Sequence, residues 1–324
     1  MDKNSVIGLF IIAVMIIGYS IYTQPSQEQL EQQKKEQMLQ DSLKVTTPVQ
    51  EEQPIIEKQI EAEPVINDSL QQELADEKLQ IQFGDLANAA SGEEKEIILE
   101  NERFIATLSS KGGLLKSLEL KEFSTYDSLP LIMFEQNKSL QDLIFDYPGF
   151  GRIHFSDLYF TPSSEHISLN GDDKDQLVLK LNGRQSGQEL KIIYAFDGHS
   201  HDMKMSIQSS GFQGFDNFNS IPLQMDWNMT GLKKEKYLPW ERNVSTIFYK
   251  YSDDSRDWLS ETREDDLVLE QKTDWIAYKQ NYFSVILFSD KGFAANEITF
   301  LVVKSRYTLA GMTLKFHYFI LITG

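Results

Sequence analysis

The chain has 324 residues, 41% of them hydrophobic and 11% aromatic, enough to bury one or two substantial cores. Its formal net charge of -18 argues against a nucleic-acid partner and against docking on anionic lipid head groups, since both need clustered Lys and Arg. With no cysteine, the chain has no disulfide, thiolate metal site or thiol nucleophile, and cannot carry a lipoprotein anchor on an N-terminal cysteine.

The first element is Val6 to Tyr22, VIGLFIIAVMIIGYSIY, seventeen residues without a charge. As a helix at about 1.5 Å per residue it covers about 26 Å of a hydrocarbon core about 30 Å thick. Ser5 and Thr23 extend the span, and Tyr19 and Tyr22 lie where amphipathic rings favour the interface. A cleaved signal peptide is the alternative, but the apolar core ends in Tyr-Ser-Ile-Tyr-Thr-Gln-Pro and no A-x-A site follows it. Residues 1–23 are therefore read as a single transmembrane anchor, N-terminus cytoplasmic and the remainder exported.

Residues 24–95 form an acidic Gln/Glu-rich linker, partly helical or disordered. No aromatic residue occurs between Tyr22 and Phe83, so burial cannot offset the entropy of ordering. Ser26 to Lys44 is rich in helix formers, while Pro48, Pro54 and Pro64 forbid one long helix. Thirteen acidic residues against five lysines in Gln24–Gln80 place close to half of the net charge here. As a flexible coil of about 60 residues this tether would span on the order of 40 Å.

From Glu96 the texture changes to short β-branched and aromatic runs punctuated by Gly, Asn, Asp and Ser. Arg103 to Ser109 and Leu114 to Lys121 flank Lys111-Gly112-Gly113 as two strands joined by a glycine turn. Gln176 to Leu181, Leu190 to Phe196, Met203 to Gln208, Ile221 to Met229, Ser245 to Tyr251, Asp274 to Gln280, Tyr282 to Phe288 and Glu297 to Val303 read as further strands. Met203, Met205 and Ile207 alternate with Lys204 and Ser206. The expected fold class is mainly β, a large antiparallel sandwich over residues 96–303, followed by an atypical tail at 304–324.

The chemistry-bearing residues are sparse. His199 and His201 could share a strand face and bridge a metal, but Asp197-Gly198 before them reads as a turn. His154, His166 and His317 stand alone, and Asp172-Asp173, Asp253-Asp254 and Glu264-Asp265-Asp266 lack the glycine-containing Ca²⁺ loop pattern. No G-x-S-x-G, P-loop or G-x-G-x-x-G occurs. Trp227, Trp240, Trp258 and Trp275, with Tyr237 and Tyr249, are expected mainly in the core. No catalytic, cofactor-binding or metal-binding residue is assigned, and no cofactor is expected.

Three stretches carry a resemblance: MDKNSVIGLFIIAVMIIGYSIYTQPS at the start, ENERFIATLSSKGGLLKSLELKEFSTY from Glu100, and DWIAYKQNYFSVILFSDKGF from Asp274, with Trp275, Gln280, Tyr282-Phe283 and Lys291-Gly292-Phe293. In this order the chain resembles the YidC family of membrane protein insertases in its Bacteroidetes-like form. The resemblance implies a periplasmic β-supersandwich similar to galactose mutarotase, anchored in the inner membrane lipid bilayer. It implies a non-enzymatic role in inserting and folding nascent membrane proteins, alone or with the Sec translocon and its accessory subunits. The family's insertion groove lies in five later membrane helices. After Phe300 the tail LVVKSRYTLAGMTLKFHYFILITG is interrupted by Lys304, Arg306, Lys315 and His317, so the chain is expected to be a truncated or frame-shifted form without that groove. The alternatives are a membrane-anchored sugar-binding or mutarotase-like periplasmic protein, and a structural domain offering a sandwich edge to a partner.

Overall fold

The computed structural model describes residues 68–218, 221–253, 255–293, 296–302 and 308–318. The apolar run Val6 to Tyr22 and most of the tether lie outside the described residues. Among the described residues no helix is long and apolar enough to cross a membrane.

The described chain opens with helix α1 (Asp68–Phe83), which runs into a 3-10 turn at Gly84–Ala89. Strands β1 (Glu96–Glu100), β2 (Phe104–Ser109), β3 (Leu115–Ser124) and β4 (Pro130–Glu135) form a meander. A hairpin of β5 (Leu140–Tyr147) and β6 (Gly151–His154) follows, then the short β7 (Thr161–Pro162) and β8 (His166–Ser168). Strands β9 (Lys174–Asn182), β10 (Glu189–Asp197) and β11 (Met203–Ser210) make a second meander. Next come β12 (Leu223–Leu232), helix α2 (Leu238–Asn243), β13 (Thr246–Tyr251), β14 (Arg256–Trp258) and β15 (Asp265–Leu269). The last strands are β16 (Thr273–Lys279), β17 (Ser284–Phe293), β18 (Asn296–Val302) and β19 (Thr308–Tyr318).

These strands build four sheets, in the orders β4-β3-β2-β1-β8, β11-β10-β9-β7, β15-β18-β19-β12-β5-β6 and β14-β13-β16-β17. Among the described residues β1 with β8 is the one parallel pair between strands; the other strand pairs are antiparallel. The fold is therefore mainly β and antiparallel. Period-two patterning is the cause: Leu190, Ile192, Tyr194 and Phe196 of β10, and Leu223, Met225, Trp227 and Met229 of β12, are buried while their neighbours are not.

Aromatic packing is densest where the third sheet meets the loop after β11. Phe215 lies 4.9 Å from Phe145, 4.8 Å from Tyr147 and 4.5 Å from Phe212, ring centre to ring centre. The glycine turn between β2 and β3 follows steric need. Gly113 has a φ of +67°, and a Cβ there would stand 2.5 Å from Ile192 Cδ1. Its carbonyl accepts the buried Tyr194 hydroxyl at 2.8 Å, tying the first meander to the second.

Two boundaries differ from the sequence reading. The C-terminal part of residues 24–95 belongs to the β unit: Phe83, Leu86, Ala87 and Ala89 are buried in its core. The Asp85 carboxylate accepts Gln188 Nε2 at 2.6 Å and lies 3.4 Å from the Tyr147 hydroxyl, which burial and that carboxylate push up to about 12. Likewise, Thr308–Tyr318, set apart as part of a tail, forms β19 between β12 and β18. Its alternation of polar and apolar residues is too short for a membrane helix but of strand length, and two neighbouring ladders satisfy its backbone. The region from Pro130 to Ser168, for which no strand was read, holds β4 to β8. Many of these are two to four residues long, below the length at which periodicity is detectable.

Candidate functional site

The histidines do not assemble a reactive centre. His199 Nδ1 lies 2.6 Å from Gly171 O, a contact that raises its pKa, with the Asp197 carboxylate adding to it. His201 Nε2 is 3.6 Å from Glu122 Oε2 instead. Both belong to the β10–β11 turn, where buried Asn101 donates to the carbonyls of Asp197 and Ser200 at 2.7 and 2.8 Å. His154 Nδ1 is 2.7 Å from Asp142 Oδ2, and Ser156 Oγ is 3.1 Å from the same oxygen. Because Ser156 turns to the carboxylate rather than to the imidazole, the trio forms no nucleophile–base pair. His166 Nε2 lies 4.0 Å from Glu100, and the side chain of His317 is outside those described. Among the described residues no group of three His, Cys, Asp or Glu is placed to hold a metal ion.

The aromatics divide. Trp227 and Tyr249 are buried, as expected of core aromatics, whereas Trp240, Trp258 and Tyr237 are exposed by 54%, 51% and 67%. Trp258 nonetheless stacks on Phe248 across the β13–β14 pair, 5.3 Å between ring centres. Trp240 and Tyr237 sit on and before the six-residue α2, too short to turn more than one face inward, and that face is used by Glu241 and Leu238.

An apolar cleft of about 1030 Å³ opens among the sheets. The first meander lines it through Leu118, Leu120, Met133 and Phe134, and β17 through Val285 and Leu287. Its floor is Tyr194 of β10 with Met225 and Trp227 of β12, and β11 adds Met203 and Met205. Tyr278 fixes the floor from behind: its hydroxyl donates to Trp227 O at 2.8 Å, and the two rings meet edge-on at 5.1 Å. Four of the nine methionines of the chain line this one cleft. Unbranched thioether side chains repack at low cost, so such a lining suits apolar guests of varied shape. The free edges of β11 and β17 flank the opening, joined by an exposed ion pair, Lys204 Nζ to Asp290 Oδ2 at 3.2 Å.

At one end of the cleft sits a buried lysine. Lys234 is 4% exposed; its Nζ donates to Gln280 Oε1 and to Leu232 O, the latter at 3.3 Å. Burial pushes its pKa down to about 8, partly opposed by the charge of Glu241. Glu241 is itself buried, which raises its pKa, while its carboxylate accepts the Lys234 amide at 3.1 Å and the Glu235 amide at 3.2 Å. The site can thus hold an apolar guest beside a short polar margin. Among the described residues, the titratable side chains that line it besides tyrosine are His201, Lys234, Glu235 and Lys236.

The sequence reading missed the cleft because its walls come from four separated stretches of chain. The alternation Met203, Met205 was its visible part, but periodicity reports which side of a strand is apolar, not whether another layer covers it.

Comparison with known proteins places these features in context. The family model described as the YidC periplasmic domain matches residues 96–316. The chain is 29% identical over 301 residues to the membrane protein insertase YidC of Parabacteroides distasonis, covering 92% of this chain and 46% of that protein. It is 30% identical over 302 residues to the corresponding protein of Porphyromonas gingivalis strain ATCC 33277, covering 92% and 45%. The chain thus spans about half the length of the curated relatives it matches. Among solved structures, a galactose mutarotase related enzyme from Lactobacillus acidophilus aligns with a TM-score of 0.33 at 9% identity, over 69% of this chain and 86% of that one.

Proposed function

The chain belongs to the YidC family, and from that membership we propose that it serves the inner membrane as the anchor and periplasmic domain of a membrane protein insertase. The match of the periplasmic-domain model over residues 96–316 carries this reading. In it, the methionine-lined cleft receives apolar stretches of nascent membrane proteins before they reach the bilayer. Burying a guest side chain there contributes roughly 1.5–3 kcal/mol, enough for transient holding without a fixed sequence. The role is not enzymatic. Residues 1–324 supply the anchor, tether and cleft, while the insertion step belongs to the half of the relatives that this chain does not span, with the Sec translocon as an optional partner.

The test is replacement in a host depleted of its own insertase. A chimera carrying residues 1–318 in place of the matching half of the Parabacteroides distasonis protein is expected to restore growth. Residues 1–324 alone are expected not to restore insertion; insertion by them alone overturns the division of labour. A photo-crosslinker at Met205 in the chimera is expected to capture nascent membrane proteins, and its failure to do so in a growing strain overturns the role given to the cleft.

A further inference from the structure

Exposed apolar side chains are unevenly distributed. Among the described residues fifteen large ones are exposed, and six of them, Phe123, Tyr126, Leu129, Tyr237, Trp240 and Tyr282, belong to three segments that meet at one end of the cleft. The tip joining β3 to β4 touches the segment after β12 through the Tyr126 amide, which donates to Lys234 O at 3.0 Å. Lys233 Nζ reinforces this contact, 3.0 Å from the Tyr126 hydroxyl and 4.4 Å over its ring. The tip joining β16 to β17 arrives at the same place: Phe283 meets Phe123 edge-on at 5.2 Å, and Gln280 holds Lys234. Helix α2 is fixed there as well, since Lys279 of β16 donates to Val244 O at 2.5 Å just beyond it.

The chemistry of this end differs from the rest of the molecule. In a chain with 49 acidic and 31 basic residues, Lys233 to Arg242 carries four cations and two carboxylates; with Lys234 and Glu241 both buried, Lys233, Lys236 and Arg242 remain against Glu235. Of the two neighbouring segments, the β3–β4 tip adds Asp127 and, beside Phe123, Glu122, which is held by Arg103 and lies 3.6 Å from His201; the β16–β17 tip adds no acid. Aromatic rings with a polar edge favour the headgroup level of a bilayer, and lysine stems lie along apolar surface while their ammonium groups reach phosphate. Side chains carried on two hairpin tips and one short helix can enter that layer while the strands behind them keep their ladders paired.

We infer that this end of the domain docks on an anionic lipid surface, with Tyr237, Trp240 and Tyr282 at headgroup level and Lys233 and Lys236 facing lipid phosphate. The net charge of -18 does not oppose this locally, because much of it lies on the tether and charges beyond about 10 Å are screened at ordinary ionic strength. Phe123, Tyr126 and Tyr282 also line the cleft, so docking sets its mouth against the bilayer. An apolar guest then passes between cleft and lipid without crossing water, a consequence that rests on the proposed role of the cleft; the docking does not.

The absence of native cysteine allows a direct test on the full chain. Single-cysteine variants Trp240→Cys, Tyr282→Cys and, as an exposed control outside the three segments, Val268→Cys are labelled with an environment-sensitive nitrobenzoxadiazole dye. They are reconstituted in vesicles of phosphatidylethanolamine with phosphatidylglycerol. Blue-shifted emission at 240 and 282, quenched by lipids brominated near the headgroup, is the expected result, with water-like emission at 268. Removing both cations in a Lys233→Gln, Lys236→Gln background, or using phosphatidylcholine vesicles, is expected to reduce the shift. Water-like emission at 240 and 282 overturns the inference, as does a shift that vanishes when the protein is diluted within the membrane, which would mark contact between two copies of the chain.

Discussion

At the scale of single residues, Lys234 has the largest consequence for behaviour. Folding takes its ammonium group out of water and leaves it hydrogen-bonded to Gln280 and Leu232, with its pKa down to about 8 from the ordinary 10.5. Below pH 8 both folded and unfolded chains hold this proton, and the cost of burying the charge is present in full. Between about 8 and 10.5 the unfolded chain binds more protons, so stability rises with pH across that window. Urea unfolding from pH 7.5 to 10.5 is expected to show the native chain gaining up to about 3 kcal/mol relative to Lys234→Gln, which keeps a hydrogen-bonding amide but does not titrate. Parallel pH curves for the two proteins would show that the ammonium is hydrated. Nothing in the stretch Lys233 to Lys236 distinguishes Lys234 from its neighbours: its burial goes with partners elsewhere in the chain, Glu241 and, 46 positions away, Gln280.

At the scale of elements, the two ends of the domain matter most. Leu86 is fully buried in the core although it follows a polar, aromatic-free segment, whereas Leu74 of α1 is 54% exposed. Leu86→Ala is expected to cost about 2–5 kcal/mol in denaturant unfolding, and Leu74→Ala within about 0.5 kcal/mol of nothing. At the other end, Thr313 of β19 pairs with Asn228 of β12 on one side and Thr299 of β18 on the other. A proline there removes an N–H and breaks the ladders, so Thr313→Pro is expected to abolish the cooperative unfolding transition seen by circular dichroism. A transition retained by that variant would mean that β19 is dispensable to the sheet. The hairpin around Gly112-Gly113 was legible because its turn chemistry and both flanking strands are contiguous. The pairing of β19 with β12 was not, because β12 precedes it by more than seventy positions and no local signal specifies so distant a pairing.

At the scale of the whole molecule, charge is the dominant long-range effect. The tether holds eight of the eighteen net negative charges, leaving ten on the residues beyond Gln80, where self-repulsion works against the compact state. Raising ionic strength from about 0.01 to 0.15 M shortens the screening length from about 30 to about 8 Å and is expected to raise the melting temperature by roughly 2–4 °C. A melting temperature unchanged or lowered by salt would show that local ion pairs such as Lys250–Asp274, at 2.8 Å, outweigh the net repulsion. By itself the sequence determined what depends on composition and short-range pattern: an apolar run at Val6 to Tyr22, an acidic tether, and strands wherever apolar residues alternate over six or more positions. It also carried the family resemblance, through the Gly112-Gly113 hairpin and the Trp275 to Phe293 strand pair. Tertiary structure alone decided which strands share a sheet, which aromatics are buried, and that β3, β10, β12 and β17 enclose a cleft. Those outcomes depend on surfaces that distant segments present to one another, and a linear pattern specifies the apolar side of each strand but not the layer that covers it.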